Sequence, residues 1–109
     1  RSLYLGNNRL TAIDPQMFNG LTWLRTLYLQ NNQIRTLNSE TFDGLTILES
    51  LILDDNLIST LPSSIFSSLV FTLISLSNNL ICSGYSNTDL ATLYLTQQYC
   101  SDSRCRVTC

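Results

Sequence analysis

The sequence predicts an α/β repeat protein, in which short parallel strands stack along a solenoid and a disulfide-bonded helical cap closes the C-terminal end. Three observations support this fold. A pattern of leucines and asparagines occurs four times, at intervals of 24, 24 and 23 residues. A phenylalanine recurs at the same position in the first three units, and all four cysteines lie in the last 28 residues. At 109 residues the chain is one domain by size.

Each repeated unit begins with a short predicted strand. The pattern is L-x-L-x-x-N-x-L, with isoleucine at some of the leucine positions, and its copies start at Leu3, Leu27, Leu51 and Ile74. Side chains alternate along a strand, so the two aliphatic residues point into the core and the residue between them points out. We expect the strand of each unit to pair with the next at about 4.8 Å.

The asparagine of each unit has a structural reason. After the strand the chain must turn while its backbone polar groups are buried, and an inward asparagine side chain can bond them. We expect these side chains to form a ladder through the core. The ladder residues are Asn8, Asn32, Asn56 and Asn79.

The phenylalanines belong to the second half of the unit. Phe18, Phe42 and Phe66 are expected to fill the convex side of each coil as large apolar groups. The spacing becomes one residue shorter just before the fourth strand, where Phe71 takes the place of a leucine found in the earlier units. This irregularity falls in the last coil before the predicted cap.

These units resemble the leucine-rich repeats of extracellular proteins, specifically the 24-residue type. The resemblance covers residues 1–81 and implies a right-handed, curved leucine-rich repeat solenoid whose parallel sheet lines the concave face. We therefore predict two parts, with four leucine-rich repeats in residues 1–81 and a cysteine-rich C-terminal cap in residues 82–109.

The cap is expected to cover the apolar end of the last coil, because an open-ended solenoid exposes its interior. Asn87 or Thr88 can cap a helix that starts near Asp89, whose carboxylate suits the positive end of the helix dipole. The segment after this helix is too polar and short to hold itself, and we expect disulfides to hold it, at roughly 2–4 kcal/mol each. The predicted apolar face of the helix consists of Leu90, Leu93, Tyr94 and Leu95.

The cysteines Cys82, Cys100, Cys105 and Cys109 indicate a cap made in an oxidising compartment. No C-x2-C pair is present, so disulfides are favoured over a zinc site. Four cysteines allow three pairings, among which the spacing does not choose. The resemblance to the cysteine-rich caps of extracellular leucine-rich repeat proteins implies bonds from Cys82 to Cys105 and from Cys100 to Cys109. The chain departs from those caps, since one cysteine precedes the helix instead of two.

Among such proteins, the repeats and the cap helix are most similar to variable lymphocyte receptors and their receptor-like relatives. This resemblance implies an immune recognition module that binds a protein or carbohydrate ligand, such as a microbial surface component or antigen, on the concave sheet. Toll-like receptors and guidance proteins share the same parts, so a self-associating adhesion or guidance module is the alternative. Those families carry an N-terminal cap, whereas Leu3 already lies in a repeat. We expect either a trimmed chain or a first coil covered by another surface, such as a second copy.

The amino-acid composition argues against several classes of function. The formal charge is -2, from eight carboxylates and six arginines without any block of one sign, which argues against nucleic-acid binding. No apolar run approaches the roughly 18 residues of a membrane span. Histidine is absent, which removes the commonest general base and metal ligand. We expect no enzymatic activity, no cofactor and no metal, and an extracellular location, either secreted or at the cell surface.

The candidate ligand-binding residues are those expected to point out from the concave sheet. Tyrosine is favoured there because it is large, stiff and amphipathic, although aromatic neighbours also stabilise sheets by about 0.2–1 kcal/mol per pair. Four strands with three outward residues each offer far fewer than the roughly 20–30 residues of a stable interface, so binding would need the cap or several copies. The candidates are Tyr4, Tyr28, Gln30, Ile52, Asp54, Asp55, Ser75 and Ser77.

Two charged groups have alternative interpretations. Asp54 and Asp55 would suit a basic partner, but neighbouring carboxylates on a solvated face usually contribute only solubility. Calcium binding by this pair with Asn31 matches no dedicated loop spacing. Arg25 and Glu49 occupy equivalent positions in successive units, which favours a cross-strand ion pair over a ligand site.

Overall fold

A computed structural model of the chain describes residues 1–69, 72–100 and 104–109. Within these ranges one parallel sheet contains five strands in chain order, and a 3-10 helix followed by helix α1 connects the last two. The architecture is the predicted solenoid with a helical cap, while Phe71 lies outside the described residues. The elements are β1 (Ser2–Tyr4), β2 (Thr26–Tyr28), β3 (Ser50–Ile52), β4 (Leu73–Ser75), the 3-10 helix (Leu80–Gly84), α1 (Thr88–Tyr99) and β5 (Arg106–Thr108).

The strand register follows the sequence repeat. Leu27 of β2 pairs with Leu51 of β3, which in turn pairs with Ile74 of β4. All three side chains are completely buried, as are Leu29 and Leu53 just after their strands. Alternation along each strand therefore places the repeated aliphatic residues in the core, as predicted.

The buried asparagines form the predicted ladder. Asn56 Oδ1 accepts a hydrogen bond of 3.1 Å from the backbone N–H of Ile34, and Asn56 Nδ2 donates to the carbonyls of Leu29 and Leu53 at 3.0 Å each. Each side chain thus ties its own coil to the preceding one. Asn8 in the first coil was predicted to point inward as part of this ladder, but it is exposed and bonds only carbonyls of its own coil, so the prediction is wrong for Asn8. The same bonds across coils are made by Asn32 and Asn79.

The repeated phenylalanines are buried, and their rings form a stack that continues into the cap. Phe42 stacks on Phe18 and Phe66, with ring centroids 6.3 and 6.1 Å apart. Tyr99 at the end of α1 then meets Phe66 edge-on at 6.2 Å, and its hydroxyl donates to the carbonyl of Leu61 at 3.3 Å. Burial raises the pKa of the Tyr99 phenol above its ordinary value, with a further contribution from a neighbouring tyrosine. Tyr99 is the cap residue that closes the aromatic stack.

Helix α1 begins where the sequence predicts but packs through a different face. The Asn87 side chain caps it by accepting from the N–H of Leu90 at 2.8 Å. The buried helix residues are Ala91 and Leu95. Leu93 and Tyr94 were predicted to lie on the last repeat, but they are 49% and 50% exposed, so that part of the prediction is wrong.

An unpredicted fifth strand, β5, explains why the helix packs through a different face from the one predicted. Thr96 Oγ1 accepts from the N–H of Val107 and donates to its carbonyl, both at 3.0 Å. Thr92 Oγ1 accepts from the N–H of Cys109 at 3.3 Å. The helix therefore turns its threonines toward β5 and satisfies the edge that faces away from β4. The predicted disulfides are present, and the pairing of β5 with β4 adds a support for this segment that was not predicted.

The disulfide pairing implied by the resemblance is also wrong. The bonds are Cys82–Cys109 and Cys100–Cys105, so they are nested and not interleaved. The physical reason is β5, which ends beside β4 and carries Cys109 toward the segment where Cys82 lies. Cys100 at the end of α1 is then left beside Cys105, just before β5.

Candidate functional site

The outward residues of neighbouring strands form continuous columns on the concave face. The parallel register aligns Tyr4 with Tyr28, Tyr28 with Ile52, and Ile52 with Ser75. Strand β5 extends this column with Thr108. The structure therefore brings the four candidates of this column together on one face, and it adds a residue that the sequence reasoning missed.

Two tyrosines dominate the N-terminal half of the face. The rings of Tyr4 and Tyr28 stack with centroids 4.6 Å apart and planes within 5° of parallel. This distance is about the spacing of adjacent strands, so the register itself imposes the stack. Tyr4 is 70% exposed, whereas Tyr28 is half-buried by its neighbours. The pair presents a flat aromatic surface to solvent.

Gln30 follows β2 and leans over the preceding coil. A Cβ added at Gly6 would lie 2.8 Å from Gln30 Nε2 and 2.9 Å from its Cδ, so a larger residue at Gly6 would displace this side chain. Gln30 Oε1 is buried and has no hydrogen-bond partner among the described residues. A buried unsatisfied acceptor costs about 1–3 kcal/mol. Because this atom is enclosed by protein, the half-buried Gln30 side chain meets solvent through atoms other than Oε1.

Asp54 lies on the predicted face but is engaged within the protein. Its Oδ1 accepts from the Ser75 hydroxyl at 2.5 Å and from the backbone N–H of Ser77 at 3.1 Å. The Ser77 hydroxyl in turn donates to the carbonyl of Cys109 at 2.8 Å. These three candidates form a chain of hydrogen bonds between the last repeats and the cap, which fixes the C-terminal half of the face.

Asp55 has a conformational role at the end of its strand. Its φ is 58°, and the equivalent residues Asn7, Asn31 and Asn78 have φ of 58° or 59°. Asparagine and aspartate tolerate this left-handed conformation better than other residues with a side chain. Asn78 Nδ2 also donates to Asp55 Oδ1 at 2.9 Å. The recurring Asn or Asp in this column was the signal for the turn, and the sequence reasoning missed it.

Charged side chains lie along the border of the face. Arg25 and Glu49 form the predicted ion pair at 2.7 Å. Arg106 on β5 is exposed beside Leu73, so the border continues onto the cap. In the described ranges, no cluster of three or more Cys, Asp or Glu side chains is placed to hold a metal ion. No helix in the same ranges is long and apolar enough to cross a membrane.

Comparison with known families decides the identity of the repeats. The profile of a family described as leucine rich repeat matches residues 1–58, just over half of the chain. The chain belongs to the leucine-rich repeat family. Leucine-rich repeat domains generally mediate protein–protein interaction, and their solenoid is typically a binding scaffold. No curated protein matches this leucine-rich repeat chain.

Proposed function

We propose that this chain is a non-enzymatic recognition module of innate or variable-lymphocyte-receptor-like immunity. It binds a microbial surface molecule or antigen through the concave sheet, and it works outside the cell. The observation that carries this proposal is the solvent-facing stack of Tyr4 on Tyr28. An aromatic surface on which Tyr4 is 70% exposed to water is energetically unfavourable and is well suited to contact with a ligand.

The surroundings of the stack support a recognition surface of defined shape. The bonds of Asp54 to Ser75 and Ser77 hold the C-terminal half of the face in place. Gln30, just after β2, adds a half-buried amide side chain to the face. A rigid face with aromatic contacts and a few polar groups loses little conformational entropy on binding.

The two disulfides support the extracellular location. Bonds such as Cys82–Cys109 persist in oxidising compartments and are rare where glutathione keeps thiols reduced. The face remains small even with Arg106 and Thr108 added by β5, so one copy is expected to bind weakly. Several copies displayed together would gain affinity through avidity.

Binding to bacterial cells and isolated wall components tests the proposal. The chain is biotinylated and displayed on streptavidin, and its binding is compared with that of Tyr4→Ala, Gln30→Ala and the convex-face control Met17→Ala. We expect Tyr4→Ala to lose about tenfold or more in affinity, in the range of an aromatic contact residue. Met17→Ala should bind like the parent. Unchanged binding of both concave variants would place the site elsewhere and contradict the proposal.

A further inference from the structure

A second concave surface lies on the cap, away from the sheet. It is a cleft of about 510 Å³ between α1 and the loop that contains Ser59 and Thr60. At 100° per residue, Tyr94 lies on the side of α1 opposite Thr92, which bonds to Cys109 just after β5. None of the concave-face candidates lines this cleft. It is therefore a separate site.

The cleft has an aromatic wall that core packing does not explain. Tyr85 and Tyr94 stack with ring centroids 5.8 Å apart and planes 29° from parallel. Tyr94 is 50% exposed, so about half of this side chain remains open to solvent. Tyr99 lies deeper and is held by its bond to Leu61. A fixed tyrosine pair with an accessible ring is the arrangement that stacks on a flat ligand.

The polar groups of the cleft are neutral amides and hydroxyls. Gln97, Gln98, Ser59 and Thr60 are exposed, and no side-chain hydrogen bond engages them within the described part of the chain. Together they offer both donors and acceptors. No charged side chain occurs among the described residues that line the cleft. A charged ligand would find no counter-ion there, whereas a neutral ligand rich in hydroxyl groups would find many partners.

We infer that this cleft binds a neutral oligosaccharide. The C–H face of a sugar ring carries slight positive charge and is attracted to the negative face of an aromatic ring such as Tyr94. The sugar hydroxyls then exchange hydrogen bonds with Gln97 and Gln98. The volume falls in the range of roughly 300–1,000 Å³ typical of small-ligand sites. This site goes beyond the recognition proposed for the concave sheet and does not depend on it.

NMR titration of the intact, 15N-labelled chain tests this inference. The probes are maltotriose, cellotriose and triacetylchitotriose, each added to about 10 mM so that millimolar affinity is detected. We expect at least one probe to shift the side-chain amide signals of Gln97 and Gln98. The Gln30 amide on the concave face should not move, which separates this site from the one proposed above.

Two neighbouring helix residues provide matched variants. Tyr94→Ala should weaken binding about tenfold or more, a loss equivalent to about 1.4 kcal/mol. Leu93→Ala removes an equally exposed side chain that lines a different groove of α1 and should leave binding unchanged. The inference is overturned by the absence of shifts with all three probes, by shifts confined to Gln30, or by equal effects of the two variants.

Discussion

Replacing Asn56 by alanine tests the asparagine ladder, and the structure allows the cost to be worked out group by group. The carbonyl of Leu29 also accepts from Asn32, and the carbonyl of Leu53 also accepts from Asn79, so each keeps one donor after the substitution. The buried N–H of Ile34 bonds to Asn56 and has no second acceptor among the described residues. Asn56→Ala should therefore orphan one buried donor.

The expected loss for Asn56→Ala is about 2–4 kcal/mol, which combines roughly 1–3 kcal/mol for the orphaned N–H with weakened bonds at the two carbonyls. For a domain of this size the melting temperature should fall by on the order of 10 °C. Asn8→Ala is the matched control, because Asn8 is exposed and water can replace its bonds. It should cost less than about 1 kcal/mol.

Urea denaturation followed by circular dichroism measures both losses. Amide hydrogen exchange adds a local readout, since the Ile34 N–H should exchange much faster in Asn56→Ala than in Asn8→Ala. Equal destabilisation by the two variants would contradict this prediction, because it would mean that the ladder contributes no more in the core than at the surface. Unchanged protection of the Ile34 N–H would refute it as well.

Three further predictions follow from the cap and the sheet border. The double variant Cys82→Ser/Cys109→Ser removes a bond between residues 27 apart in the sequence and should lower the free energy of unfolding by about 3.5 kcal/mol through loop entropy. The loss should be about 2 kcal/mol for Cys100→Ser/Cys105→Ser, whose separation is 5. Peptide mapping that finds Cys82 bonded to Cys105 would contradict the pairing. The raised pKa of Tyr99 favours the folded state while the phenol is protonated, so its contribution is present below about pH 10 and lost as pH rises through the folded pKa. Thermal unfolding against pH should show a smaller alkaline loss in Tyr99→Phe than in the parent, and identical profiles would argue against this role. Glu49→Ala should lower the free energy of unfolding by less than about 1 kcal/mol, and the difference should disappear in 1 M salt, because its pair with Arg25 is exposed. A larger loss that persists in salt would contradict this, because it would mean that Glu49 stabilises the fold by more than an exposed ion pair.

The core could be predicted because it depends on neighbours at a fixed interval. Leu27, Leu51 and Ile74 occupy the same position in successive units, and stacking coils must bring equal positions together. The same logic located the asparagine ladder and the phenylalanine stack. It also placed Tyr4 and Tyr28 on one face, since alternation along a strand decides which side chains leave the core.

The packing of the cap could not be predicted in this way, because the cap sequence has no counterpart in the repeated units. Strand β5 is three residues long and lacks the leucine pattern, so its pairing arises from contacts with β4 and with threonines of α1. The prediction that Leu93 and Tyr94 lie over the last repeat was wrong because hydrophobicity alone does not reveal that Thr92 and Thr96 must face a strand edge. The disulfide pairing depends on the same strand.

The sequence predicted which residues share the candidate surface, but it did not predict the hydrogen bonds among them. Asp54 was expected to face solvent as a ligand contact, whereas its Oδ1 joins Ser75 and Ser77. That arrangement requires side chains from two coils to meet at hydrogen-bond distance, which residue spacing does not specify. The left-handed turn at Asp55, in contrast, was readable from the column of asparagines that it belongs to.

Relaxation of NMR signals by a soluble paramagnetic agent measures which side chains of a strand meet solvent, and this decides where the recognition face lies. We predict strong broadening of the Tyr4 ring signals, weaker broadening of Tyr28, and no broadening of the Leu27 and Leu29 methyl groups. Exposed methyl groups at Leu27 and Leu29 together with a protected Tyr28 ring would place the recognition face inside the protein and contradict the account.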